Sequence, residues 1–194
     1  MQTVTLGRTG ITVNKNGFGA LPIQRIDKQS AVELLHMAYD GGINFYDTAR
    51  AYSDSEEKLG LALADVRQHI FIATKTPSTT VEGFWKDLET SLRLLKTDYI
   101  DVYQFHNPAF CPKPGDGTGL YEAMEEAKAQ GKIRFIGITN HRLGVAEEAA
   151  ASGLYDTLQF PFCYLATDRD IALVNLCKEN NVGFSSMKGR SGGL

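Results

Sequence analysis

Short apolar runs rich in β-branched and aromatic residues alternate along this chain with longer segments of helical period. That alternation restricts it to folds of parallel strands joined by crossover helices. The spacing predicts strands at 17–21, 44–48, 70–75, 99–106, 133–139, 157–162 and 182–187. Between them, Ala31, Leu34, Leu35 and Ala38 share a helical face behind a candidate Asp27 cap and ahead of Gly41-Gly42. Phe84, Leu88, Leu92 and Leu95 form a second stripe; Leu120, Ala123 and Ala127 form a third that ends at Gly131. Ile171, Val174 and Cys177 follow a Thr167-to-Asp170 capping pair. Such stripes read as core packing. Ahead of the parallel set, residues 4–6 and 11–13 flank Gly7-Arg8-Thr9-Gly10 and read as a separate β-hairpin. The Pro/Gly-rich stretch 112–119 reads as a loop within the repeat, so residues 1–194 form a single domain.

Serial βα units build either a closed (β/α)8 barrel of the TIM type or a doubly wound open sheet. The open dinucleotide-binding sheet requires G-x-G-x-x-G after its first strand, and Gly17-Phe18-Gly19-Ala20-Leu21-Pro22 puts proline at the third glycine. The phosphate-cradling Gly-Lys-Ser/Thr pattern is missing too. Polar residues instead mark the C-terminal ends of consecutive strands: Asp47, Lys75, His106, Asn140 and Gln159. A barrel gathers those ends on one rim. The expected class is therefore α/β, an incomplete (β/α)8 barrel with seven of eight strands and an N-terminal hairpin. A full barrel takes about 250 residues, and the missing part would be the C-terminal βα segment. Open first and last strands would expose unpaired backbone, so association of copies through those edges is expected.

Composition removes several function classes. Hydrophobic residues make up 43% and charged residues 22%, the usual mix of a folded soluble domain. A net charge of -3 provides no basic surface for nucleic acid and no polybasic run for anionic lipid. No apolar stretch is long enough to span a bilayer, and no signal peptide opens the chain. Cys111, Cys163 and Cys177 lack the spacing of metal or redox motifs and read as free thiols, which points to the cytoplasm.

The chemistry-bearing residues cluster by strand end. Asn44-Phe45-Tyr46-Asp47 closes one strand with a carboxylate, and Tyr52 follows five residues later in the loop. Ala73-Thr74-Lys75 and Tyr103-Gln104-Phe105-His106 add a lysine and an imidazole. This set resembles the aspartate, tyrosine, lysine and histidine of the aldo-keto reductases. So do Gly41-Gly42-Ile43-Asn44-Phe45, Ser55-Glu56-Glu57-Lys58-Leu59-Gly60, Thr97-Asp98-Tyr99-Ile100-Asp101 and Gly131-Lys132-Ile133-Arg134-Phe135-Ile136-Gly137.

The resemblance implies an NAD(P)H-dependent reductase that takes aldehyde or ketone carbonyls to alcohols by hydride transfer. Tyr52 would be the general acid, its pKa brought down by Lys75, which Asp47 holds; His106 would orient the substrate oxygen. Asn140 and Gln159 match positions that bind the nicotinamide carboxamide, and Asp47 additionally reaches its ribose. The cofactor is expected to be NADP(H) or NAD(H), and the partner a small-molecule carbonyl. Two departures bear on this expectation. Ser185, Ser186 and Met187 stand where many members place an aromatic against nicotinamide, and only 186–194 remain of the region that grips the cofactor phosphates, so its binding is expected to be weakened. Alternatives are a non-catalytic binding or regulatory protein that retains the scaffold, and a lyase or isomerase on the same barrel.

Overall fold

A computed structural model describes residues 2–189; the stretch 190–194, part of the proposed phosphate-gripping remnant, lies outside the described residues. Seven parallel strands form one sheet in chain order. They are β3 (Phe18–Gly19), β4 (Phe45–Asp47), β5 (Phe71–Thr76), β6 (Ile100–His106), β7 (Ile133–Thr139), β8 (Thr157–Pro161) and β9 (Gly183–Met187). Each expected strand is present, trimmed or shifted at its ends. Crossover helices follow most of them: α1 (Lys28–Asp40), α2 (Ser55–Leu63), α3 (Val81–Leu95), α4 (Leu120–Ala129), α5 (Leu143–Ala151) and α6 (Asp168–Glu179). Among the described residues β3 and β9 do not pair with each other, so the barrel is open along one seam. No helix among these residues is long and apolar enough to cross a membrane.

The helices start where their sequences permit. The Asp27 carboxylate accepts from the Ser30 N–H at 2.9 Å and caps α1, while Thr80 caps α3 through the Gly83 N–H at 3.1 Å. Thr167 and Asp170 close a full capping box on α6. Phe84, Leu88, Leu92 and Leu95 are buried between α3 and the sheet, as their spacing requires. Two stripes are narrower than their spacing suggests. Leu34 remains 42% exposed and Ile171 47% exposed, leaving Ala31 with Leu35 and Leu173 with Cys177 as the inward positions. Both helices end the outer row, α1 packing along α2 and α6 along α5. A stripe that needs a neighbour on each flank is there only half covered.

Two apolar clusters divide the interior. The larger lies between sheet and helices; the smaller fills the concave side of the sheet with Leu6, Ile11, Val13, Phe45, Ala73 and Val102. Its first three residues belong to the hairpin, β1 (Thr3–Thr5) and β2 (Thr12–Asn14), which plugs the N-terminal mouth of the sheet. Polar ties hold the plug. The Arg8 guanidinium donates to the Asn180 carbonyl at 2.8 Å and the Gly153 carbonyl at 3.0 Å, and Asn44 Oδ1 accepts from the Asn14 N–H at 2.7 Å. Gly7 has φ +49° and lies so close to the Val182–Gly183 backbone that a Cβ would overlap it, so both its conformation and its contact need glycine. With one mouth closed, polar chemistry is confined to the other.

Candidate active site

Parallel register sets the heights of the rim residues. Asp47 pairs with Ala73, while Lys75 stands level with Gln104, and His106 level with Thr139, which in turn pairs with Gln159. Alternation along each strand then aims every second side chain into the concavity. Lys75 is buried there, and its Nζ donates to Asp47 Oδ1 at 2.6 Å and to the Thr48 carbonyl at 2.7 Å. Gln104 Nε2 donates to the other Asp47 oxygen at 3.3 Å. Tyr52, on the loop after β4, meets the His106 ring edge-to-face with centroids 5.7 Å apart. The Lys75 ammonium lies 5.3 Å from the centre of the Tyr52 ring. Asp47, Tyr52, Lys75 and His106 thus occupy one place.

Burial governs the proton affinities. It pushes the Tyr52 phenol up to about 12, and the Asp47 carboxylate adds to the rise. This reverses the direction expected from the sequence. Lys75 does not lower the phenol because its charge is already taken by Asp47 and the Thr48 carbonyl, and because it approaches the ring face. Lys75 itself is pulled below the usual lysine range by burial, with Asp47 opposing. His106 is brought down to about 4, first by burial and then by the Lys75 charge. At neutral pH the site therefore holds a protonated phenol and an uncharged imidazole. The His106 Nδ1 atom is buried without a hydrogen-bond partner among the described residues.

A cavity of about 550 Å³ opens against this wall and is lined by Asp47, Tyr52, His106, His141 and Gln159. It also runs down the seam between β3 and β9, past Phe18 and Phe184, to Leu6 and Val13 of the hairpin plug. The two amide positions differ. Gln159 faces the cavity, whereas Asn140 is fully buried, its Nδ2 donating to the Pro108 carbonyl and its Oδ1 accepting from the Arg142 N–H, both at 2.8 Å. Asn140 therefore braces two rim turns. Sequence reasoning passed over Gln104 as a site residue, although it sits two positions before His106 and so on the same strand face. Its room comes from Gly137, where a Cβ would lie 2.8 Å from Gln104 Cγ and 2.5 Å from Thr157 Oγ1.

Comparison with known proteins agrees with this architecture. The profile of the Aldo/keto reductase family matches residues 15–194. Aldo-keto reductase YhdN of Bacillus subtilis is 30% identical over 94% of this chain and 60% of its own length. The NADH-specific methylglyoxal reductase of Escherichia coli is 26% identical over 94% of this chain and 65% of its own. The aldo-keto reductase of Bacillus halodurans, solved in its holo form, superposes with a TM-score of 0.85 at 28% identity, covering 97% of this chain and 66% of that one. The chain spans less than two thirds of the length of either curated relative. With a family profile running over nearly the whole sequence and a solved aldo-keto reductase superposing on its fold, the chain belongs to the aldo/keto reductase family.

Proposed function

We propose that this chain carries the hydride-transfer site of an NAD(P)H-dependent reductase, in which Tyr52 protonates a carbonyl oxygen as hydride reaches the carbon. One observation carries the reading: a buried, protonated phenol stands against a neutral imidazole and over a lysine–aspartate pair at the wall of a cavity. Reduction of an aldehyde or ketone leaves negative charge on oxygen, and an alkoxide is a far stronger base than a phenolate. Proton transfer from Tyr52 is then downhill even with its raised pKa. Lys75 lies against the Tyr52 ring, and its bonds to Asp47 and the Thr48 carbonyl fix it there as part of the wall that positions the phenol. His106, uncharged at neutral pH, is able to hold the carbonyl oxygen by a hydrogen bond without competing as an acid.

The cavity suits the nicotinamide half of the cofactor. Its volume falls within the ordinary range for small-molecule sites, about 300–1,000 Å³, and its wall offers the Asp47 carboxylate and the Gln159 amide. Bound nicotinamide supplies the hydride. In this reading Gln159 and Asn140 serve the carboxamide and Asp47 the ribose, and the bonds of the Asn140 amide to the Pro108 carbonyl and the Arg142 N–H support the turns around them. Near the seam, β9 brings Ser185 and Ser186 into the cavity, and Lys188 follows. Among the described residues that is a small set of contacts for the adenosine phosphates, and weakened cofactor affinity is part of the reading. The substrate is a small carbonyl compound, and the free thiols at Cys111, Cys163 and Cys177 fit a reducing, cytoplasmic setting.

Calorimetric titration with NADPH and then NADH tests this assignment. Saturable heat with one of them, followed by reduction of an activated aldehyde, is the expected outcome. No heat at millimolar cofactor would remove the reductase reading for this chain.

A further inference from the structure

Tyr52 stands on a loop, and a loop leaves a side chain free to wander unless something outside the ring holds its backbone. Arg50 brackets it. The Arg50 N–H donates to the Lys75 carbonyl at 2.9 Å, and its guanidinium Nη2 donates to the carbonyl of Ser53 at 3.2 Å, so the residue two before Tyr52 binds the residue just after it. Ser53 itself has φ +38°, a conformation unfavourable for serine that the surrounding contacts must maintain.

The other guanidinium nitrogen forms an ion pair with Glu56, whose side chain is fully buried in the first turn of α2. Glu56 Oε1 in turn accepts from Thr74 Oγ1 and from Ser91 Oγ, each at 2.7 Å. Thr74 immediately precedes Lys75 and points to the opposite face of β5. The same network therefore grips the outer face of the strand whose inner face carries Lys75, and reaches over to clamp the loop that carries Tyr52.

Stability alone gives little reason for such a pair, because buried ion pairs replaced by apolar residues of similar volume are often as stable or more so. Fixed geometry gives a better one, since the hydrogen bonds on either side of the ion pair, from Arg50 to Ser53 and from Thr74 and Ser91 to Glu56, have defined directions. We infer that Arg50 and Glu56 are positioning residues that hold Tyr52 in register with Lys75 and His106. The inference rests on the proposed role of Tyr52 as acid, but the placement of its ring is measurable apart from that role.

The test uses an Arg50→Met/Glu56→Leu double variant, with Glu56→Gln as a near-isosteric single change that keeps oxygen acceptance from Thr74 and Ser91. NMR of the chain with labelled tyrosine and histidine, without cofactor, reads the Tyr52–His106 ring contact and the alkaline titration of the Tyr52 phenol. The double variant is expected to lose some thermal midpoint through the stranded Thr74 and Ser91 hydroxyls, to weaken the ring contact and to lower the phenol pKa as the loop opens to water. Its kcat should fall about tenfold to a hundredfold with little change in KM, the signature of a misplaced group. Glu56→Gln should show the same changes at smaller size, and it alone decides the matter should the double variant not fold. A ring contact and phenol titration unchanged from the parent would overturn the inference. Absence of turnover in the parent would count against the reductase reading only, leaving the NMR comparison intact.

Discussion

Tyr52 keeps its proton far above neutral pH because it is buried beside a carboxylate, and because the ammonium that could have stabilised its anion is already bonded to Asp47 and Thr48. Lys75→Met should therefore be costly. It strands the Asp47 carboxylate with Gln104 as its only side-chain donor among the described residues, and we expect about 3 kcal/mol of lost stability in urea unfolding. A variant as stable as the parent would show that water in the cavity replaces the ammonium. His106 loses its pKa on folding through burial, from 6.5 to about 4, so between those values the unfolded chain binds the proton and the folded chain does not. The contribution is full above 6.5 and is lost on acidification towards 4. Allowing for its partial exposure, it amounts to about 2 kcal/mol. Unfolding of the parent and of His106→Asn at several pH values should show the parent's advantage shrinking across that window, and parallel curves would contradict the buried neutral imidazole.

Strand ends were the legible elements. Asp47, Lys75, His106 and Gln159 could be placed on one rim because a period-2 strand with a polar terminus leaves few choices, and the register sets them at neighbouring levels. Helix α2 was not legible from periodicity. It buries Ser55, Glu56 and Lys58 beside Leu59 and Leu63, so its inward face is as polar as a surface and casts no apolar stripe. Helix α5 escaped for a related reason, its buried residues being the alanines Ala146, Ala149 and Ala150. Nor could sequence reveal how deeply the fold buries the phenol, which is why its shift had the wrong sign there. Gly137 offers a test at this scale. Alanine would press on Gln104 and Thr157 across two neighbouring strands, and we expect about 1–3 kcal/mol of destabilisation, as for an overpacked core. A thermal midpoint equal to the parent's would show that Gln104 yields without cost.

At the scale of the whole molecule, one mouth of the sheet is plugged by the hairpin, the other carries the polar wall, and a seam runs between β3 and β9. Among the described residues β3 and β9 each lack a strand partner on one side, and we propose that copies associate through those edges, which sedimentation velocity should show as a concentration-dependent shift to larger species. A single monomer species at every concentration would contradict that expectation. The same seam joins the polar wall to the flank of the sheet in one continuous cavity. In the proposed reading the rate depends on the phenol. The most direct measurement is single-turnover reduction of an activated aldehyde by parent and Tyr52→Phe at saturating NADPH, followed from neutral to alkaline pH. The substitution is expected to leave cofactor binding intact and to slow hydride transfer by about a hundredfold or more, with the parent rate flat until the pH approaches the high phenol pKa. Equal rates in the two proteins, or a parent rate that falls away already near pH 7–8, would contradict Tyr52 as the buried acid.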